Sequence, residues 1–163
     1  MGLTDAQLGE LRTELTTDPK GFGYVAADLP GKRALINANP ETISRAISPG
    51  TLWEWFDQHS RLVALGVART DAALAAEERN AAQAVWYSLG GDVTDEDTRN
   101  SLPQQVDLSA APFTNAIALL VAADVLSALQ GAAVLALGDV SVNRGEALGF
   151  GSVRESNITA ALA

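Results

Sequence analysis

Residues 111–137, APFTNAIALLVAADVLSALQGAAVLAL, decide the fold class. The stretch carries one charge, Asp124, and is otherwise almost wholly Ala, Leu and Val. A helix that is apolar all round is buried all round. The segment therefore reads as the central helix of a small all-α, multi-helix bundle, with amphipathic helices laid against it. A membrane span is the competing reading, since about 20 consecutive apolar residues cross a bilayer. Asp124 lies near the middle, where a carboxylate costs roughly 2.5–3.5 kcal/mol. Gly131 and Gly138 interrupt the run, and neither flank has a Lys/Arg cluster. A buried helix is preferred, with Gly131 as its expected break. Asp124 then needs a partner, or it caps a second short helix starting at Val125.

Downstream, DVSVNRGEALGFGSV (139–153) is rich in Gly and turn residues. Residues 139–142 are read as a strand pairing with Ser152 and Val153 in a minor β-hairpin, and a helix follows over Glu155–Leu162. Upstream, Thr94 opens a helix with Asp95, Glu96 and Asp97 in its first turn, where negative charge suits the dipole; Leu102-Pro103 ends or kinks it. The helix before it starts at Thr70 or Asp71, carries Leu74, Ala81, Val85 and Leu89 as its stripe, and stops at Gly90-Gly91. Ser48-Pro49 caps the strongest amphipathic pattern, with Leu52, Trp55, Phe56, His59, Leu62 and Val63 on one face and Gly66 at its end. Trp53 falls off that stripe, beside Glu54.

At the start of the chain, Thr4 and Gln7 make a capping box. Leu3 and Leu8 form a hydrophobic staple, and Leu8, Leu11 and Leu15 share a face. Asp18-Pro19 ends this helix, and Gly21 and Gly23 permit positive φ in the turn after it. Pro30 suits the first turn of a short helix through Ala34, Leu35 and Ile36, broken at Asn39-Pro40. Pro40 is read as opening another short helix with Ile43, Ala46 and Ile47 on one side.

A chain of 163 residues is sized for one domain, and 1–163 reads as a single helical domain. It has no cysteine, which removes disulfides and thiolate metal sites. The opening MGLTDAQLGELRTEL has neither the basic region nor the apolar core of a secretory leader. The net charge of −9, with eleven scattered Lys and Arg, argues against a nucleic-acid surface.

Chemistry is sparse. His59 is the one histidine and sits on an apolar helix face, with no second ligand nearby for a metal. Asp92, Asp95, Glu96 and Asp97 lack the spacing and glycine of a calcium loop. The triplets Gly21-Phe22-Gly23 and Gly149-Phe150-Gly151 lack the context and third glycine or lysine of a phosphate loop. Adjacent Glu77 and Glu78 diverge on a helix. The expectation is no catalytic, metal or cofactor site, and no enzyme. The residues singled out for an interface are aromatic: Trp53, Phe22, Tyr24 and Phe150, since exposed aromatics are enriched where proteins meet.

The opening LTDAQLGELRTELTTDPKGFGY (3–24) resembles the start of a group of small tailed-bacteriophage proteins. Further matches are Leu-Ile-Asn-Ala at 35–38, Trp86 ahead of a Gly turn and an Asp/Thr-rich restart (86–98), and Arg-Gly-Glu at 144–146 leading to Gly-Phe-Gly-Ser-Val at 149–153 and a closing helix. The chain departs from that pattern over 104–140, where more basic residues are expected. The resemblance implies a virion structural protein from the head, neck and tail morphogenesis genes. It would be made in the host cytoplasm and act as a homo-oligomer with other virion proteins, at the neck or head–tail connection. It would have no membrane partner, nucleic-acid specificity or cofactor. Two other classes stand beside it: a helical adaptor presenting Trp53, and an enzyme in which Asp124 and His59 meet.

Overall fold

The computed structural model describes residues 2–38, 40–91 and 104–163. Among these, nine α-helices and one two-stranded antiparallel sheet form, so the architecture is mostly helical. In chain order they are α1 (Asp5–Thr17), α2 (Leu29–Ala38), β1 (Pro40–Ser44), α3 (Pro49–Gln58), α4 (Leu62–Ala68), α5 (Ala76–Ser88), α6 (Ala111–Ala122), α7 (Ala128–Leu135), β2 (Asp139–Asn143), α8 (Arg144–Ala147) and α9 (Glu155–Leu162). The chain forms two compact units, one of Met1–Ile43 with Val140–Ala163, the other of Ser44–Asp139. The expected helix at Thr94 and the acidic cluster 92–97 lie outside the described residues.

The first unit is built on its caps. Thr4 accepts from the Gln7 N–H at 3.3 Å while the Gln7 side chain accepts from the Thr4 N–H at 3.1 Å, the predicted capping box. Leu3 and Leu8 pack against the core, and Leu11 and Leu15 are buried in it. Asp18 ends α1 in the left-handed region, at φ 45°. Its carboxylate accepts the N–H groups of Phe22 (2.7 Å), Gly23 (2.6 Å) and Tyr24 (3.2 Å). A single side chain thus folds residues 18–24 into a turn, with Gly21 and Gly23 at positive φ, and Tyr24 is delivered fully buried to the core. The Asp28 carboxylate accepts from the Gly31 N–H at 2.8 Å, so it caps α2, and Pro30 occupies the first turn as predicted. α9 has the bounds the sequence predicts.

Two expectations for this unit are corrected. Pro40 opens a strand rather than a helix, because its missing N–H is harmless at a strand's first residue and Thr42 and Ile43 are β-branched. The second strand falls at 139–143 as expected, but it pairs with β1 and not with Ser152 and Val153. Residues 152 and 153 are needed elsewhere: Val153 is in the core, and its N–H donates to the Asn37 side chain at 2.9 Å.

The second unit has its own core, from Leu52, Phe56, Leu65, Ala82, Val85, Leu108, Ile117, Leu120, Leu126 and Val134 among others. Ser48 caps α3, accepting from the Thr51 N–H at 3.0 Å, with Pro49 at the first position as predicted. The helix expected to continue to Gly66 stops at Gln58. Ser60 takes a left-handed φ of 54°, and the Arg61 N–H bonds back to the Phe56 carbonyl at 2.8 Å, closing a Schellman-type end. Val63, expected on the buried stripe, is 78% exposed on α4. α5 starts at Ala76, later than predicted, because Asp71 caps a local turn through the Ala73 N–H at 2.9 Å. It ends at Leu89–Gly91 in the expected way, Gly90 having φ 79°.

Residues 111–137 are corrected in two respects. They form α6 and α7, with the break at 123–127 rather than at Gly131. Asp124 does not cap Val125; it sits at φ 56° in the turn, exposed, and Ser127 caps α7 by accepting from the Gln130 N–H at 3.2 Å. Gly131 instead permits close packing, since a Cβ there would lie 2.7 Å from the Val121 side chain. The segment is also not buried all round: Phe113, Ala116, Ile117 and Leu120 face inward, whereas Ala118, Ala122, Ala132 and Ala133 are exposed.

Glycines at two positions test this packing. A Cβ at Gly145 would lie 2.7 Å from the Gly151 carbonyl oxygen and 3.0 Å from a Val153 methyl, whereas one at Gly9 in α1 would meet open space. Gly145→Ala is expected to destabilise the first unit by about 1–3 kcal/mol through overpacking. Gly9→Ala is expected to stabilise it by roughly 0.5–1 kcal/mol through helix propensity. Urea unfolding followed by circular dichroism checks both signs.

Candidate interaction surface

The sequence-predicted aromatics separate sharply. Tyr24 is fully buried and Phe150 is 7% exposed, both in the core of the first unit. Side chains so placed pack within the unit rather than at its surface. Phe22 is half-buried and meets Tyr24 edge-on, with ring centroids 5.7 Å apart. Trp53 alone of the four is an exposed large side chain, at 38%.

Trp53 is held where it is by the second unit. α3 buries Leu52, Trp55 and Phe56, and the helical step of about 100° carries position 53 away from that face. One side of the Trp53 ring is met by Trp86 of α5, with centroids 6.2 Å apart and planes at 55°. Trp86 in turn has the Arg69 guanidinium 4.5 Å above its ring, a favourable cation–π arrangement. Gly91 is packed on the Nε1 edge of the Trp86 indole, where a Cβ would overlap the ring. Glu54 and Asp57 are exposed on the same stretch of α3. Positions 53 and 57, and 54 and 57, are helix-surface neighbours, so an indole and two carboxylates form one patch. The contact of Trp86 and Arg69 with this patch carries no local sequence signal, since both lie on other elements than Trp53.

His59 and Asp124 are not brought together. The His59 ring stacks on Trp55, with centroids 4.2 Å apart and planes at 19°, and its Nδ1 donates to the Trp55 carbonyl at 2.8 Å. Among the described residues no hydrogen bond joins it to Asp124, and no group of three or more His, Cys, Asp or Glu could hold a metal. Nor is any described helix long and apolar enough to cross a membrane.

Among the described residues, a connected cluster of charges lies in the first unit. Glu14, 5% exposed, takes two parallel bonds from Arg144, Nε to Oε1 and Nη2 to Oε2, each 2.9 Å. The remaining Nη1 donates to Glu41 at 2.9 Å, and Lys20 reaches Glu41 at 3.1 Å. Perturbed ionisable groups of this kind often mark active sites. Here each is occupied by another member of the cluster, and the bidentate geometry is that of a structural clamp. Burial alone would raise the Glu41 pKa, but hydrogen bonds and charge from Lys20 and Arg144 outweigh it and hold the carboxyl below its ordinary 4.5. For Arg144, the hydrogen bonds to Glu14, opposed by burial, push the guanidinium further towards the charged form.

Because the folded pKa of Glu41 is depressed, its contribution is complete above its ordinary 4.5 and is lost as pH falls below that value. Amide exchange in α1 and α9 is expected to accelerate in that acid range, with Glu41→Gln removing part of the pH dependence. Arg144→Ala leaves the Glu14 carboxylate buried without its cation and should cost about 3–5 kcal/mol, measurable as a lower unfolding midpoint of the first unit. Comparison of the chain with protein families, curated proteins and solved structures gives no match, so what it does has to be read from its own residues.

Proposed function

We propose that this chain is a structural component of a tailed-bacteriophage virion, placed at the neck or head–tail connection and acting through protein–protein assembly as a homo-oligomer. On this reading it is made in the host cytoplasm, catalyses nothing, and meets other copies of itself and other virion proteins. The observation that carries the reading is the resemblance spread along the chain together with what its motif residues do. In the first unit the resembling residues are structural throughout. Thr4 and Gln7 cap α1. Asp18 folds the Gly-Phe-Gly-Tyr turn. In the Arg-Gly-Glu stretch, Arg144 clamps Glu14 and Glu41, Gly145 admits the Gly151 backbone, and Glu146 closes a capping box with Asn143. A motif set devoted to shape rather than to reacting groups suits a protein whose product is an assembly.

The exposed apolar side chains support the same reading. Val63 and Val67 are exposed one turn apart on α4, a small apolar strip of the kind that subunit contacts cover. A helical adaptor presenting Trp53 is the second reading, favoured by the exposure of that one indole.

Mass photometry with negative-stain imaging over a range of concentrations tests self-assembly, and a closed ring or fixed multimer is the expected result. Mass spectrometry of purified particles is expected to find the chain at many copies per virion. A strictly monomeric protein missing from particles sinks the reading and leaves the adaptor.

A further inference from the structure

Charge is divided unevenly between the two units. Residues 44–139 hold twelve Asp and Glu against five Lys and Arg, a net of −7, whereas 1–43 with 140–163 hold eight against six, a net of −2. Two arginines of the less acidic unit, Arg33 on α2 and Arg154 ahead of α9, line one open cleft of about 700 Å³, together with the Ser152 and Ser156 side chains. The cleft is firmly built. Asn37, on its wall, donates to the Val153 carbonyl at 2.8 Å and accepts from the Val153 N–H at 2.9 Å, tying α2 to the segment before α9. Arg33 reaches Glu155 at 3.3 Å, but both side chains stay largely in water, at 57% and 44% exposure. Such a pair is weak and exchangeable. Arg154 is exposed and makes no ion pair among the described residues.

The complementary surface is the α3 patch of the other unit, with Trp53 38% exposed beside the exposed carboxylates of Glu54 and Asp57. Trp and Arg are the side chains that most often anchor protein interfaces. Setting this patch against its own copy would oppose carboxylate to carboxylate, whereas the cleft carries two arginines against the single carboxylate of Glu155. The favourable pairing therefore joins two different patches of the chain, one on each unit.

We propose that the cleft lined by Arg33 and Arg154 is the socket for the α3 patch of a second copy of this chain, with Glu54 and Asp57 pairing with the two arginines and Trp53 seated between them. This rests on the self-assembly proposed above and names its interface.

Charge reversal tests it. Arg33→Glu with Arg154→Glu makes one variant, and Glu54→Arg with Asp57→Arg makes another; all four positions are exposed or at the cleft rim, and circular dichroism confirms that each variant folds. By sedimentation velocity at moderate salt, the natural chain is expected to form multimers and each variant alone to associate at least 10-fold more weakly. Mixed one to one, the two variants are expected to recover the multimer, because the reversed socket now matches the reversed patch. Multimers that persist in the Arg33/Arg154 variant, or a mixture of folded variants that stays dissociated, overturn the socket while leaving self-assembly standing. A natural chain that is monomeric at every concentration removes both.

Discussion

Arg144 follows directly on β2, and its guanidinium reaches back to a carboxylate on α1 and another on β1. Chain segments separated by 130 and 103 residues are thereby held at one point by three hydrogen bonds of 2.9 Å. The geometry leaves little freedom. With α1 fixed at Glu14, its leucines must meet α9, and with β1 fixed at Glu41, β2 must lie alongside. The residues next to Arg144 complete the arrangement. Asn143 caps the turn, and Gly145 lets the Gly151 backbone come close enough for the Phe150 N–H to bond the Gly145 carbonyl at 2.8 Å. A buried ion pair gives little net stability by itself; here it ties α1, β1 and the start of α8 to one guanidinium.

The parts of the fold that could be read from the sequence are those decided within a few residues. Thr4 with Gln7, Ser48 with Pro49, Pro30, Gly90-Gly91 and the bounds of α9 all follow from local backbone requirements. The errors fall where a local rule is satisfied by an unusual residue or a distant one. Ser60 and Asp124 end helices in the left-handed region without being glycine, so the helices around them read as continuous. β1 and β2 find each other across about a hundred residues, and nothing in Pro40–Ser44 names its partner. The same holds for the surfaces. The periodicity of α3 places Trp53 outside the core correctly, whereas the burial of Tyr24 depends on Asp18 gathering three N–H groups, which no spacing rule announces. Arg33 and Arg154 line one cleft only because α2 and α9 pack together.

The apolar run at 111–137 shows how composition can mislead about burial. Its pattern is one of size rather than polarity. Large side chains at 113, 117, 120, 125, 126 and 134 are buried, and the exposed side is mainly alanine. A methyl group left in water forfeits little, so the helix tolerates a wet face that its hydropathy conceals. Leu129, 81% exposed, is the one large exception within the two helices.

The first unit is made from two stretches of chain with the 96 residues of the second unit between them. On a ribosome, Leu11, Leu15 and Tyr24 emerge long before Phe150, Val153 and Ile158, which cover them. The second unit is contiguous in the chain and has a core of its own. Once it has folded, its two ends enter paired strands, and the entropy of closing a long loop is reduced to that of closing a short one. The middle of the chain thus acts as a splint: its folding brings Glu14 and Arg144 into each other's range.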